Sequence, residues 1–280
     1  MNYKKSFISL LLFGSFILLS KNSQSLNKTE KEEIKILITT AFGNITIKLY
    51  NETEIHRNNF VKLVKEHYFD SLLFHRVIQN FMIQGGDPDS KYAIANMELG
   101  NGGPPYTLPA EFRSNLFHKK GVLAAARDSD LENPSQQSAG SQFYIVQGRV
   151  FNDSLLKIQA IRITKLKLFN TIINRRENLE LQKKYMALPK FQKNDSLKYL
   201  NGIITKIVEK ELPVTKLHTF TEEQIRIYKT IGGTPHLDES YTVFGEVLEG
   251  FEVINNIATQ MVDINSRPIA DIRMKISILP

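Results

Sequence analysis

Residues 33–50, EIKILITTAFGNITIKLY, constrain the fold most, because apolar side chains recur at every second position on both sides of a turn. A period of two places alternate side chains on opposite faces of a strand. The turn at Phe42-Gly43-Asn44 separates two such runs, so the stretch predicts a β-hairpin with one buried face. The side chains expected on that face are Ile34, Ile36, Ile38, Ile45, Ile47 and Leu49.

Further short strands and two short helices are predicted in the rest of the chain. Residues 55–66 and the run FEVINNIA have helical spacing, whereas GVLAAAR, SQFYIVQG, YTVFGEVLEG and RMKISIL are typical of strands. Segments 72–77 and 81–84 predict two more strands. Many strands with two short helices favour a mainly β fold, an antiparallel barrel capped by helices.

Residues 151–230 differ in kind and predict a helical insert. Asn152 or Asp153 can cap a first helix, and a second helix is expected at 195–209. Thr221 with Gln224 forms a capping box for a third helix. The predicted domains are therefore a signal peptide at 1–25, a barrel formed by 26–150 and 231–280, and the helical insert at 151–230.

The first 25 residues read as a targeting segment. Lys4 and Lys5 precede an apolar run from Phe7 to Leu19, and a polar SKNSQS follows. The run is shorter than the roughly 20 apolar residues of a membrane-spanning helix. The chain is therefore expected to be exported to a periplasmic or extracellular location. An uncleaved N-terminal membrane anchor is the alternative.

Charge is distributed unevenly along this chain of net charge +7. Residues 149–229 hold 17 basic and 8 acidic side chains, whereas 26–148 together with 230–280 hold 16 basic and 21 acidic ones. The basic insert can be a lid or a docking surface for unfolded chains, or it can be a stable but idle decoration. Nucleic acid is not an expected partner of an exported protein.

Composition and spacing exclude several kinds of chemistry. The chain has no cysteine, which excludes disulfides, thiol nucleophiles and cysteine-ligated metals. None of its six histidines stands in H-x-x-x-H or H-x-H spacing, and no G-x-S-x-G, G-x-G-x-x-G or P-loop pattern occurs. Neither a metal nor a cofactor is predicted, so any chemistry must come from binding groups.

The stretch LLFHRVIQNFMIQGGDP, residues 72–88, is the best candidate for such groups. A single arginine, Arg76, stands in a largely apolar frame with no acidic residue before the final Asp-Pro. Phe81, Met82 and Gln84 can reach a common rim where the chain bends, which favours the lining of a pocket. The pattern is also compatible with Phe81 and Met82 in the core and Arg76 as a surface charge.

Five blocks of the chain resemble the cyclophilins, the peptidyl-prolyl cis–trans isomerases. They are FHRVIQNFMIQGGDP, GNGGPPYTLPAEF, GVLAAAR, GSQFYIVQG and TPHLDESYTVFGEVLEG, in this order and all outside 151–230. The resemblance implies a mainly β fold, a closed antiparallel eight-stranded barrel capped by two helices. It also implies proline-containing polypeptides as substrates, here unfolded exported proteins.

Functional residues carry over from the family only where the motifs match. Arg76 corresponds to the catalytic arginine, and His75 is expected to be structural. The other carried-over residues bind substrate in three groups. They are the proline pocket, Phe81, Met82, Tyr144 and Leu237; the contacts to the substrate backbone, Gln84, Gln142, Ala126 and Arg127; and the pocket rim, His236 and Tyr241.

Four of these positions depart from the residues usual in the family. His236 stands where many members have tryptophan, which argues against tight binding of the cyclic peptide cyclosporin. Tyr144 replaces a phenylalanine and brings in a hydroxyl that needs a partner. Tyr241 occupies a histidine position. Arg127 occupies an asparagine position, where the backbone is expected to act.

The resemblance therefore implies an isomerase in which Arg76 stabilises the twisted X–Pro amide. At that geometry the proline nitrogen becomes a hydrogen-bond acceptor, which a guanidinium stabilises more than it stabilises the planar ground state. The alternative is an extracytoplasmic chaperone or peptide-binding module of the same fold with weak or no turnover. In that case the basic helical insert would hold the client chains.

We expect protein purified from its native source to lack about the first 25 residues, because a signal peptide is removed on export. Intact-mass measurement tests this directly. A chain that starts at Met1 would contradict the predicted location and favour the uncleaved anchor.

Overall fold

The predicted hairpin is present in the computed structural model, which describes residues 33–280. Strand β1 (Lys35–Thr40) pairs antiparallel with β2 (Gly43–Leu49), so that Ile36 lies opposite Ile47 and Ile38 opposite Ile45. All four isoleucines are completely buried. The alternation in the sequence therefore specifies the register, because a shift of one residue would turn this apolar face toward solvent.

Eight further strands follow, most of them short. They are β3 (Arg76–Ile78), β4 (Met82–Gly85), β5 (Thr107–Leu108), β6 (Val122–Ala125), β7 (Ser138–Ala139), β8 (Phe143–Val146), β9 (Val243–Glu249) and β10 (Met274–Ile278). Eight strands form one antiparallel sheet in the order β10-β1-β2-β9-β6-β8-β4-β3. The other two, β5 and β7, pair with each other.

The predicted closed barrel is not confirmed, because the eight-stranded sheet is a curled half-barrel with β10 and β3 at its edges. Leu73 and Arg273 form an antiparallel bridge across the gap between these two edges. It involves the chain just before each edge strand, where the Phe74 N–H donates to the Ile272 carbonyl at 2.9 Å. Strand β3 is only three residues long, and this pairing ends before β3 begins.

Two helices cover the sheet, as predicted. Helix α1 (Glu54–Lys65) buries Phe60, Leu63 and Val64. The other capping helix, Phe251–Ala258, buries Val253, Ile254 and Ile257 on the same apolar cluster as the hairpin isoleucines. The apolar spacing of about 3.6 residues in both segments produces these one-sided helices.

Four helices occupy the predicted helical region, so the capping helix at the C-terminal end is α6. They are α2 (Asp153–Ile173), α3 (Arg176–Met186), α4 (Lys190–Glu211) and α5 (Glu222–Thr230). The Asn152 side chain accepts a hydrogen bond from the Leu155 N–H at 2.8 Å. The predicted capping box of Thr221 and Gln224 is present. Helix α3 was not predicted, because its buried residues include the polar Asn178 and Gln182.

The two ends of the helical region meet. Arg149 and Gly233 form an antiparallel bridge, with N–H to carbonyl distances of 3.2 and 3.0 Å. Tyr228 of α5 is fully buried against Phe117 and Phe151. Residues 33–280 form one compact unit, so a separate inserted subdomain is not confirmed.

Within residues 33–280, no helix has the length and apolar character needed to cross a membrane. The predicted signal peptide at 1–25 lies outside the described residues.

We expect Gly148→Ala to destabilise the fold and Gly202→Ala to stabilise it slightly. Gly148 has φ +63°, and a Cβ there would lie 2.6 Å from the Gly233 Cα. The substitution should cost more than about 2 kcal/mol, from left-handed strain plus a backbone clash. Gly202 lies within α4 with open space around it, so alanine should add about 0.5–1 kcal/mol.

Urea denaturation of both variants measures these changes. Equal stability of Gly148→Ala and the wild type would show that the two ends of the helical region are not held together as described.

Candidate active site

The strand register brings polar and apolar side chains to one face of the sheet. Arg76 on β3 lies opposite Gln84 on β4, and Gln84 lies opposite Tyr144 on β8. Because side chains at directly paired positions point to the same face, these three face a common cavity of about 350 Å³. Their intervening neighbours Ile83 and Ile145 point into the main core.

Strands β6 and β8 are buried on both faces, which explains why their sequences are continuous apolar runs. Leu123 and Phe143 belong to the main core, whereas Val122, Ala124 and Tyr144 belong to a second apolar cluster behind the cavity. The cavity therefore has a rigid apolar floor that belongs to the sheet itself.

Nine of the eleven predicted site residues line this cavity. They are Arg76, Phe81, Met82, Gln84, Ala126, Arg127, Tyr144, Leu237 and Tyr241. The other two, Gln142 and His236, do not line the cavity but contact residues that do. Gln142 contacts Gln84, and His236 stacks on Phe81.

Arg76 is half-buried, and its charge has no acidic partner. Its Nη1 donates to the Gln84 Oε1 at 3.2 Å, and no carboxylate of residues 33–280 lies within ion-pair distance of its guanidinium. Burial lowers the pKa of Arg76, but a guanidinium stays protonated at any ordinary pH. The cavity therefore contains a cation that no carboxylate of residues 33–280 neutralises by an ion pair, although Glu98 lies elsewhere in the cavity lining.

Gln142 is fully engaged within the protein. Its Nε2 donates to the carbonyls of Gly100 and Gly102 at 2.9 and 2.8 Å, and its Oε1 accepts from the Gln84 Nε2 at 3.1 Å. In this arrangement Gln142 fixes both the glycine-rich loop and Gln84. In this structure the Gln142 side chain is therefore not free to make the substrate contact that was predicted for it.

The apolar end of the cavity has the walls expected of a proline pocket. Met82, Tyr144 and Leu237 are all at least nine-tenths buried. Phe81 stacks on His236 with ring centroids 5.4 Å apart. Burial, with nearby positive charge from Arg162, lowers the pKa of His236 to about 3. His236 is therefore a neutral, flat side chain at the rim under ordinary conditions.

The hydroxyl of Tyr144 finds its partner in a buried chain of hydrogen bonds. It lies 2.9 Å from the His118 Nε2, and the His118 Nδ1 lies 3.1 Å from Asp238. The Tyr228 hydroxyl donates to the other oxygen of Asp238 at 2.7 Å. Burial raises the pKa of Tyr144, so its hydroxyl keeps its proton. Helix α5 is thereby connected to the pocket wall.

Arg127 and Ala126 differ in the availability of their backbone groups. The Ala126 N–H donates to Gln142 at 3.0 Å, and its carbonyl accepts from Ala139 at 2.8 Å. The backbone N–H and carbonyl of Arg127 have no partner within residues 33–280. The Arg127 side chain lies over the Tyr241 ring at 4.4 Å and donates to the Ser240 carbonyl at 2.7 Å. Of the two residues, Arg127 can therefore pair with an extended peptide.

Sequence reasoning missed part of the lining. The structure adds His75, Met97, Glu98, Leu99, Gly100, Asn101, Asn265 and Arg267. Several of these come from loops whose place beside Arg76 depends on the whole fold. A partial signal was available, because the neighbouring GNGGPPYTLP reads as an ordered loop.

The comparisons with known proteins agree with this geometry. The family model described as "Cyclophilin type peptidyl-prolyl cis-trans isomerase/CLD" matches residues 35–180 and 220–277. Proteins of Staphylococcus haemolyticus (strain JCSC1435) and Staphylococcus aureus (strain USA300), both named "Putative peptidyl-prolyl cis-trans isomerase", are 27% identical over 253 residues. Each match covers 90% of this chain and 94% of the other protein.

A solved structure of a cyclophilin-type peptidyl-prolyl cis–trans isomerase from Cryptosporidium parvum shares the fold, with a TM-score of 0.52 at 19% identity. It covers 89% of this chain, and the match spans 99% of that protein. Since the family model matches well over half of the sequence, the chain belongs to the cyclophilin-type peptidyl-prolyl cis–trans isomerases. It is an enzyme of that type.

We expect His75 to make the protein less stable as the pH falls. Both ring nitrogens of this buried residue lack a hydrogen-bond partner, and burial lowers its pKa to about 4. The unfolded chain, with a histidine pKa of about 6.5, then binds more protons than the folded one, so stability declines from pH ~6.5 toward ~4. This histidine contributes up to about 1.4 kcal/mol per pH unit.

The His75→Phe variant should show a flatter dependence of unfolding free energy on pH, measured by urea denaturation between those values. His67→Asn, at an exposed histidine, serves as the control. Parallel pH profiles for His75→Phe and the wild type would contradict the buried neutral imidazole.

Proposed function

We propose that this enzyme isomerises X–Pro bonds by placing the Arg76 guanidinium on the proline nitrogen of the twisted amide. The observation that carries the proposal is a half-buried arginine beside an apolar pocket, with no carboxylate of residues 33–280 at ion-pair distance from it. An acid at ion-pair distance would neutralise the charge that the twisted amide needs. Gln84, which accepts from Arg76 at 3.2 Å, orients the guanidinium without neutralising it.

The chemistry needs only binding groups. Rotation of an amide breaks its resonance and has a barrier of about 18–20 kcal/mol. The pocket of Phe81, Met82 and Leu237 would hold the proline ring while the preceding carbonyl rotates. As resonance is lost, the nitrogen lone pair localises and accepts a hydrogen bond from Arg76, which lowers the barrier.

The substrate backbone would be held beside the pocket by Arg127. Its N–H and carbonyl are available for two hydrogen bonds to an extended chain, in the manner of an added β-strand. The Arg127 side chain packs on Tyr241, which keeps this backbone in place. An asparagine-to-arginine departure at this position is therefore compatible with activity.

We further propose unfolded exported polypeptides as the substrates, based on the leader-like residues 1–25. The stacked His236 presents a smaller surface than the tryptophan common in the family, which supports weak cyclosporin binding. An extracytoplasmic chaperone or peptide-binding module of the same fold, with weak or no turnover, is the second candidate. Its support is the excess of basic side chains in residues 149–229, which could hold client chains.

We expect Arg76→Ala to lower turnover about 100- to 1,000-fold, or ~3–4 kcal/mol in the barrier, as for a lost oxyanion donor. Arg76→Lys should also fail, because a point charge on a flexible stem lacks the planar fork. Peptide binding should weaken far less. Arg176→Ala, at an exposed arginine on α3, is the matched control.

Exchange spectroscopy on a proline tetrapeptide measures the turnover of each folded variant. Turnover of Arg76→Ala near that of the wild type would refute the mechanism. If the wild type itself has negligible turnover but suppresses aggregation equally well with and without Arg76, the chaperone reading is favoured.

A further inference from the structure

Exposed apolar side chains are concentrated on two short segments of the enzyme. Residues 33–280 contain 19 large apolar side chains that are exposed, and seven of them lie within 92–97 and 261–269. We call these seven the apolar rim. They are Tyr92, Ile94, Met97, Met261, Val262, Ile264 and Ile269. Single exposed apolar residues are ordinary, but a cluster of this kind marks an interaction site.

The apolar rim is continuous with the active-site cavity. Met97 lines the cavity and is also 40% exposed, and Asn265 and Arg267 line the cavity from the second segment. Ile264, which is 98% exposed, directly precedes Asn265. A chain that leaves the cavity on this side therefore passes over the rim.

Both segments are held firmly against the sheet. The buried Arg267 donates to the Ile94 carbonyl and to the Asp271 carboxylate, both at 2.8 Å. Residues 261–269 form a tight hairpin, in which the Asp263 N–H donates to the Arg267 carbonyl at 2.8 Å. The Val77 N–H, next to Arg76, donates to the Ser266 carbonyl at 2.8 Å. The rim is therefore preorganised, which reduces the entropy lost when a partner binds.

The chemistry of the rim fits a polypeptide better than a lipid surface. Residues 92–97 carry no charge, and the only basic residue of 261–269 is Arg267, which is buried and paired. A membrane-surface site of an exported protein would need exposed basic side chains as well as apolar ones. Asn96, Asn265 and Ser266 lie between the apolar residues and offer polar groups to a peptide backbone.

We infer that the apolar rim is an extended binding site for apolar side chains several residues away from the proline being isomerised. The inference rests on the proposed function, because it requires an X–Pro bond in the adjacent cavity. It specifies the substrate further, as unfolded chains in which aliphatic or aromatic residues flank the proline. Each extended residue spans about 3.3 Å, so a short proline peptide would end before reaching the rim residues that lie outside the cavity lining.

The test compares two matched triple variants on two substrates. The rim variant is Ile94→Ser, Ile264→Ser and Ile269→Ser, at residues that do not line the cavity. The control is Phe191→Ser, Tyr199→Ser and Val214→Ser, at residues of the helical region that are 66–88% exposed. The substrates are a tetrapeptide with one Ala-Pro bond and a peptide of about 15 residues with leucines placed about five residues from that bond.

The rim variant should raise KM for the long peptide at least fivefold, leave its kcat unchanged, and isomerise the tetrapeptide like the wild type. The long peptide with serines in place of its leucines should not distinguish the variants. The control should behave as the wild type throughout. An unchanged KM in the rim variant would overturn the inference, and so would a raised KM in the control alone, which would place client binding on the helices.

Two further measurements distinguish a failure of this inference from dimerisation through the rim and from a failure of the catalytic proposal. If sedimentation shows that the wild type is a dimer and the rim variant a monomer, and KM is unchanged, the rim binds a second copy of the chain. Fluorescence anisotropy of the labelled long peptide measures binding without turnover. If Arg76→Ala keeps full activity while the rim variant loses peptide affinity, the catalytic proposal fails and the extended site remains.

Discussion

The buried carboxylate of Asp238 connects the sheet, the pocket wall at Tyr144 and helix α5 of this enzyme. It is 1% exposed and receives the His118 backbone N–H, the His118 ring and the Tyr228 hydroxyl. A charge in such surroundings is tolerated only when its oxygens are hydrogen-bonded, and removal of a partner is costly. The sheet, the pocket wall at Tyr144 and helix α5 therefore have to adopt their positions together.

Much of the fold could be predicted from the sequence, because local patterns specify local structure. The alternation in 33–50, the cap at Asn152 and the capping box at Thr221 all correspond to elements of the structure. Helix α3 could not be predicted, since its inward face mixes the apolar Leu181 and Tyr185 with the polar Asn178 and Gln182, which obscures the apolar period. The half-barrel also differs from the closed barrel expected, because strand ends depend on long-range pairing that no local pattern encodes.

Only those residues of the candidate site that lie in motifs shared with the family could be predicted from the sequence. Blocks of matching sequence pointed to the residues on strands β3, β4 and β8, where register decides which side chains share a face. They could not show that Gln142 is occupied by the glycine-rich loop, or that the hydroxyl of Tyr144 is bonded to His118. Those contacts join residues far apart in the chain, so they follow from tertiary packing alone.

The bridge between Arg149 and Gly233 has a consequence for how the chain folds. It brings together residues separated by 83 intervening positions. Relative to a turn of about ten residues, closing such a loop costs about 2 kcal/mol of additional chain entropy. Contacts this distant in sequence also slow folding. Helices α2 to α5 can form locally before the strands pair, which shortens the path that the chain must search. The helical region that lengthens this loop therefore also reduces the slowing of folding that the longer loop causes.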